Sequence, residues 1–203
     1  SKENKIRSLA ICDTSNLCGA LEFAEKISKT GTQPIIGTQI NFKLNDTTGL
    51  LPLFAMNKTG YKRIIELSSS SFLENDEISE PHVSLDELYK KSEGISLFSG
   101  TVFGLFGKLF DKGKYSEIEE VYSKLKLIYK DRFYLEIQRH NDKNELSFEK
   151  FNLKKSSDFE IPLIATNEVF YIDKDIYEAH DALICIKNKT YVNEKKRFKL
   201  SNQ

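Results

Sequence analysis

The chain predicts an α/β fold around one core, and three observations carry that prediction. Short apolar runs alternate with segments in which apolar residues recur every three or four positions, as expected for strands alternating with helices packed on a parallel sheet, open or closed. At 203 residues the chain is long enough for one sizeable core, better read as one domain than two. Ser8 to Glu22 joins an apolar run to a helical pattern through a polar turn headed by Asp13. In repeated βα architectures the C-terminal strand ends carry the reactive groups, which makes Asp13 the first candidate site residue. The bland alternative is a helix cap satisfying orphan N–H groups.

Taken in order, residues 1–5 are charged and run straight into a strand, so they read as the end of a helix begun upstream. Residues 6–12 are the first strand, and Leu17, Leu21, Ala24 and Ile27 form a helical stripe to about Lys29, closed by Gly31. Strands at 34–43 and 50–56 flank the turn Asn45-Asp-Thr-Thr-Gly49 and imply an antiparallel hairpin. Tyr61, Ile64, Ile65 and Leu67 mark a helix. Residues 68–82, with a serine run, an acidic cluster and Pro81, form the longest expected loop, and His82 is placed there as an ordinary surface residue.

Ser84-Leu-Asp-Glu87 fits a capping box ahead of a short helix, and Gly94 leads into a strand at 95–98. Residues 102–110 read as a glycine-punctuated helix. Gly104-Leu-Phe-Gly107 is too short and apolar to cradle phosphate, so its glycines are expected to permit close packing. Ser116-Glu-Ile-Glu119 is a second capping box opening a helix to about Tyr129, with Ile118, Val121, Tyr122, Leu125 and Ile128 on one face. A strand at 133–138, a helix at 145–155, a strand at 161–166 and a helix at 173–186 complete the alternation. The basic tail that follows reads as a solvated loop leading out of the domain.

Thirty Lys plus Arg balance thirty Asp plus Glu, so no global field attracts a polyanion, and charge alone supports no nucleic-acid role. Cys12, Cys18 and Cys185 lack Cys-x-x-Cys spacing and read as reduced thiols. No run approaches the ~20 apolar residues of a membrane span, and the first residues lack signal-peptide anatomy. A cytoplasmic protein without membrane contact is expected.

Several motifs resemble one family in its own order. Asp13-Thr-Ser-Asn-Leu-Cys-Gly19 is similar to the Asp-His-x-Asn-Leu-x-Gly of the PHP (polymerase and histidinol phosphatase) domain in the alpha subunit of bacterial DNA polymerase III. Pro34-Ile-Ile-Gly-Thr-Gln39 resembles its Pro-Ile-x-Gly-x-Glu, and Asn57-Lys-Thr-Gly-Tyr61 its Asn-x-x-Gly-Tyr. Residues 93–100, 133–140, 165–168 and 179–186 have counterparts as well. The resemblance implies a distorted (β/α)7 TIM-like barrel over residues 1–187, incomplete at its N-terminus. The family's first βα unit precedes the position matched by Lys2, leaving an open edge beside the strand at 6–12. Residues 188–203 would be a basic segment leading toward a polymerase core.

Such domains hold up to three divalent metals at the strand ends through His, Asp and Glu, a composition suited to phosphoester hydrolysis. By the same resemblance, Asp13, His140 and Glu168 keep ligand-type residues here. Thr14, Gln39, Leu50, Thr101 and Phe170 stand where the family has ligands. Multinuclear metal chemistry is therefore not expected, and the three survivors are read as hydrogen-bonding groups at the barrel mouth. His180 lies outside the metal set and is assigned a packing or hydrogen-bonding role.

The implied function is a catalytically inactive scaffold within a replicative DNA polymerase, docking the proofreading exonuclease subunit. The implied partners are the rest of the alpha subunit, that exonuclease, and DNA through the parent holoenzyme. No cofactor is expected for these residues, and Mg2+ would belong to the parent's polymerase domain. The alternative is a metal-dependent PHP phosphoesterase, either a 3'-5' exonuclease or a pyrophosphatase.

Overall fold

The computed structural model describes residues 5–75, 79–140, 143–167, 169–171 and 173–200. Among the described residues, seven strands form one sheet flanked by seven α-helices. The strands are β1 (Ser8–Thr14), β2 (Gln33–Leu44), β3 (Thr47–Ala55), β4 (Val83–Ser84), β5 (Ile95–Phe98), β6 (Phe133–Ile137) and β7 (Leu163–Ala165). The helices are α1 (Ala20–Ser28), α2 (Lys58–Leu73), α3 (Leu85–Lys90), α4 (Leu105–Asp111), α5 (Tyr115–Tyr129), α6 (Glu145–Phe159) and α7 (Tyr177–Asn188).

The sheet runs β1-β2-β3-β5-β6-β7, with the short β4 also paired to β2. It is mixed rather than parallel throughout. The β2–β3 hairpin expected from the Asn45 turn reverses β3, which then lies antiparallel to both β2 and β5. The β1–β2, β5–β6 and β6–β7 pairs are parallel, so the ends of β1, β2, β5, β6 and β7 open on the same side. Among the described residues β1 pairs only with β2, and Ser8 to Ala10 are exposed. The expected helix end at residues 1–4 lies outside the described residues.

The core sits where β2 and β3 meet α4 and α5. Ile40, Phe42, Leu51 and Leu53 from the sheet, Leu105, Phe106 and Leu109 from α4, and Tyr122 and Leu125 from α5 are fully buried. Each such side chain removed from water stabilises the fold by roughly 1.5–3 kcal/mol. The Tyr122 hydroxyl, buried among them, donates to Asn152 Oδ1 at 3.0 Å. A buried hydroxyl without such a partner would cost stability.

One family motif has a structural explanation here. Asn57 caps α2, its Oδ1 accepting from Gly60 N at 3.0 Å. Gly60 packs so tightly on the turn before β5 that a Cβ there would lie 1.8 Å from Gly94 O. That same carbonyl accepts from Met56 N at 2.9 Å. Gly94 itself sits at φ 71°, a left-handed conformation suited to glycine. The Asn-x-x-Gly spacing thus fixes a backbone junction and carries no chemistry.

Several elements differ from expectation. The serine run is helical, since α2 continues to Leu73 with Leu67 and Ser71 buried against the core. Ser71 there satisfies its hydroxyl on Ser68 O at 2.7 Å, so tertiary burial overrides a composition that reads as loop. Ser84 does cap α3, accepting from Glu87 N at 3.4 Å. The second capping box fails. Helix α5 begins at Tyr115, its N-cap residue Lys114 makes no side-chain cap, and packing of its apolar face holds it instead. Helix α4 starts at Leu105 because residues 102–104 form a turn with Gly104 N bonded to Thr101 O at 3.0 Å. Close packing explains Gly107, where a Cβ would approach Val102 O to 2.2 Å. The tail also departs from its outward course, since residues 191–200 turn back toward α7 and the strand ends.

Candidate functional site

The parallel strand ends open into a cleft of about 910 Å³. Its walls come from the ends of β1, β5, β6 and β7, from residues 169–171, from α7 and from the returning tail. Thr14, Thr101, His140 and Phe170, all named from the sequence, line it.

Parallel register explains the first pair. Thr14 lies opposite Gln39 in the β1–β2 ladder, and Gln39 Nε2 donates to Thr14 Oγ1 at 2.8 Å. Two residues read from the sequence as standing at ligand positions thus form a neutral hydrogen bond with each other. Neither group carries the negative charge that would balance a dication. Adjacent strand residues face opposite sides of a sheet, which parts Asp13 from Thr14. Asp13 does not line the cleft. Its Oδ2 sits 3.1 Å from where a Cβ on Gly19 would be, beside the N-terminus of α1, where the helix dipole favours a carboxylate. The turn between them is tied by Asn16, which donates to Thr14 O at 2.9 Å and accepts from Cys18 N at 3.0 Å.

His140 has partners on both ring nitrogens. Nε2 is 2.7 Å from Asn167 Oδ1 and Nδ1 is 3.3 Å from Glu145 Oε1, while Glu145 Oε2 accepts from His140 N at 2.7 Å. A ligand histidine presents a bare nitrogen lone pair to its metal, and here both nitrogens are turned to protein groups. Beside it, Arg139 forms a two-pronged pair with Glu149 at 2.7 and 3.0 Å. The hydrogen bond from Arg139, more than its charge alone, holds the Glu149 carboxyl below the usual carboxylate range. Gln138 Nε2 links the β6 and β7 ends by donating to Thr166 Oγ1 at 2.8 Å and Glu136 Oε1 at 3.1 Å.

Thr101 stands at the start of the β5–α4 turn, where its Oγ1 accepts from Phe103 N at 3.2 Å. Leu50 lies on β3 opposite Asn41, and its carbonyl packs against Gly100 and Gly104. Phe170 stacks on His180 with centroids 5.0 Å apart and planes inclined by 29°, and Tyr171 meets the same imidazole at 5.6 Å. His180 is thus held by aromatic packing, as its sequence context suggests. His82 is part-buried, with Nδ1 2.8 Å from Glu80 O. Glu168 lies outside the described residues.

Among the described residues, no three His, Cys, Asp or Glu side chains converge as a metal cage. A hydroxyl, an amide, an aliphatic chain and a phenyl ring are poor ligands for paired hard cations, so these residues do not fit a multinuclear metal centre. Asn167 entered the sequence reading only within the motif at 165–168, and Glu145 and the tail residues at the cleft were not singled out as site residues. Only the distance between segments in space, which no local pattern reports, could have found them.

Comparison with known proteins agrees with the motifs. The family profile described as PHP domain matches residues 1–140. The chain is 33% identical over 212 residues to DNA polymerase III subunit alpha of Caulobacter vibrioides, covering 98% of this chain and 18% of that protein. It is 36% identical over 185 residues to the Rickettsia bellii subunit, covering 90% of this chain and 16% of the relative. For Vibrio cholerae the identity is 29% over 195 residues, covering 95% and 17%. The chain thus spans less than a fifth of the length of these relatives. No helix among the described residues is long and apolar enough to cross a membrane. With the profile match covering more than half its length, this chain belongs to the PHP domain family.

Proposed function

We propose that this chain is the PHP domain of a replicative DNA polymerase alpha subunit, acting in the cytoplasm as a non-catalytic scaffold that docks the proofreading exonuclease subunit. The observation that carries the non-catalytic part is the chemistry at the strand ends. Thr14 and Gln39 satisfy each other, and His140 is engaged by Glu145 and Asn167. Hydrolysis of a phosphoester by paired metals needs anionic ligands to hold the ions and an open position for the attacking water. Nucleotide addition, with its Mg2+ and its DNA, would fall to the remainder of a parent polypeptide. Similarity to alpha subunits across nearly the whole chain supports that context.

The purified chain, equilibrated with zinc or manganese and then desalted, should carry no stoichiometric metal by mass spectrometry of the elements. It should hydrolyse neither single-stranded DNA nor pyrophosphate. Stoichiometric metal together with exonuclease activity that disappears in Asp13→Ala and His140→Ala would instead establish the phosphoesterase. Docking is tested separately by co-elution with the proofreading exonuclease subunit from the same source. Independent elution at micromolar concentrations would remove that part of the proposal.

A further inference from the structure

The segment following α7 reaches the strand-end cleft and is tied to α7 chiefly by Arg197. Helix α7 ends at Asn188, and Lys189 adopts the left-handed region at φ 54°. Lys189 N and Thr190 N then bond back to Ile186 O and Cys185 O, so the chain reverses. Residues 191–200 contain no regular element, yet Phe198, Lys199 and Leu200 line the same cleft as Thr14, His140 and His180.

Apolar burial does not keep this segment in place. Tyr191 is 75% exposed, and Val192 and Phe198 are each 57% exposed. Polar contacts hold it instead. Arg197 gives two hydrogen bonds to the Asp181 carboxylate on α7, both at 2.6 Å, and the two side chains are only 4% and 6% exposed. The same guanidinium donates to Val192 O at 3.0 and 3.2 Å and to Phe198 O at 3.3 Å. It therefore ties the segment to the helix and ties the segment to itself. A second bond joins Tyr177 Oη to Leu200 O at 2.7 Å. Bidentate pairs of this kind are directional, and a lysine would not reproduce the fork.

We propose that residues 191–200 are a strap closing over the strand-end cleft, with Asp181–Arg197 as its latch, so that entry to the cleft requires release of this pair. Beyond the latch and the Tyr177–Leu200 bond, the strap's exposed apolar residues give closure little support, so opening leaves the sheet and core intact. The device is independent of whether the cleft is catalytic.

The test uses the intact chain and two readouts. Hydrogen exchange reports the strap amides, and carbethoxylation by diethyl pyrocarbonate reports His180 inside the cleft against His82 outside it. In Arg197→Met and Arg197→Lys, exchange of the hydrogen-bonded Tyr191 and Glu194 amides should rise several-fold. His180 should react several-fold faster relative to His82, with exchange of β2, β3 and α5 unchanged. Unchanged strap protection would remove Arg197 as the latch. A freed strap with His180 reactivity within twofold of the parent would show that the strap does not guard the cleft. Should loss of Arg197 leave Asp181 buried and unfold α7, a chain stopped after Thr190 decides the matter, since Asp181 is then open to water. Faster His180 modification in that chain supports the strap, and an unchanged rate overturns it.

Discussion

Replacing Gly60 by alanine probes the junction that holds α2 against the β5 turn. The new methyl would sit 1.8 Å from Gly94 O, and real Cβ atoms keep at least 3.0 Å, so one backbone must retreat by about 1.2 Å. No side-chain rotation relieves the overlap, because the obstacle is a carbonyl. The retreat strains two hydrogen bonds, Met56 N to Gly94 O and Gly60 N to Asn57 Oδ1. Overpacking of this kind costs about 1–3 kcal/mol, and weakening the cap adds about 1. Alanine's better helix propensity returns about 1 kcal/mol. The net loss is about 1–3 kcal/mol, or a fall in Tm of about 2–12 °C in a domain of this size. Thermal and guanidinium unfolding followed by circular dichroism measure it, with Asn57→Ala as the cap-only control at about 1 kcal/mol. If Gly60→Ala melts at or above the parent temperature, the close approach does not exist in solution and the structural account of the Asn-x-x-Gly motif fails.

Other outcomes follow from the same physics. Tyr122→Phe removes the buried donor to Asn152 and should cost about 1–3 kcal/mol in a denaturant titration; a neutral substitution would mean that the Asn152 oxygen finds another donor. The Lys114 hydrogen bond, followed by Thr47 and Lys112, lowers Asp46 to about 2. Because its folded value lies below the ordinary 3.8, its contribution to stability is present above pH 4 and lost as pH falls toward 2. Asp46→Asn should therefore flatten the stability profile between pH 4 and 2 and leave it unchanged in slope near neutrality. The effect will be small, since the carboxylate is solvent-exposed. Desolvation, then Asp86 and Glu120, pushes the Tyr89 hydroxyl up to about 12, and burial raises Tyr122 and Tyr129 as well, so ultraviolet titration should show three tyrosines that ionise only well above the ordinary 10. A full complement of tyrosines ionising near 10 would show that Tyr89 is not packed as described.

Local pattern alone carried the alternation of strands and helices, the hairpin around Asn45, the strand Ile95–Phe98 and the Ser84 cap, because each depends on residues a few positions apart. The ordered motifs also carried the family; the reading of Thr14, Gln39, Leu50, Thr101 and Phe170 as substituted ligand positions rests on that resemblance. Periodicity states which face of an element is apolar but not what will cover it. The helical serine run, buried on the core at Ser71, and the uncapped start of α5 at Tyr115 were therefore beyond its reach. The site has the same division. Sequence named Thr14 and Gln39 as lost ligands, but only parallel pairing across 25 residues made them partners of each other. It named His140, yet Glu145 and Asn167 reach that ring from α6 and from the end of β7. Arg197 read as part of a solvated basic tail until the reversal after α7 set it on Asp181, 16 residues back along the chain. Contacts between distant segments are set by packing of the whole chain, so tertiary structure alone decided which of these polar groups would find one another.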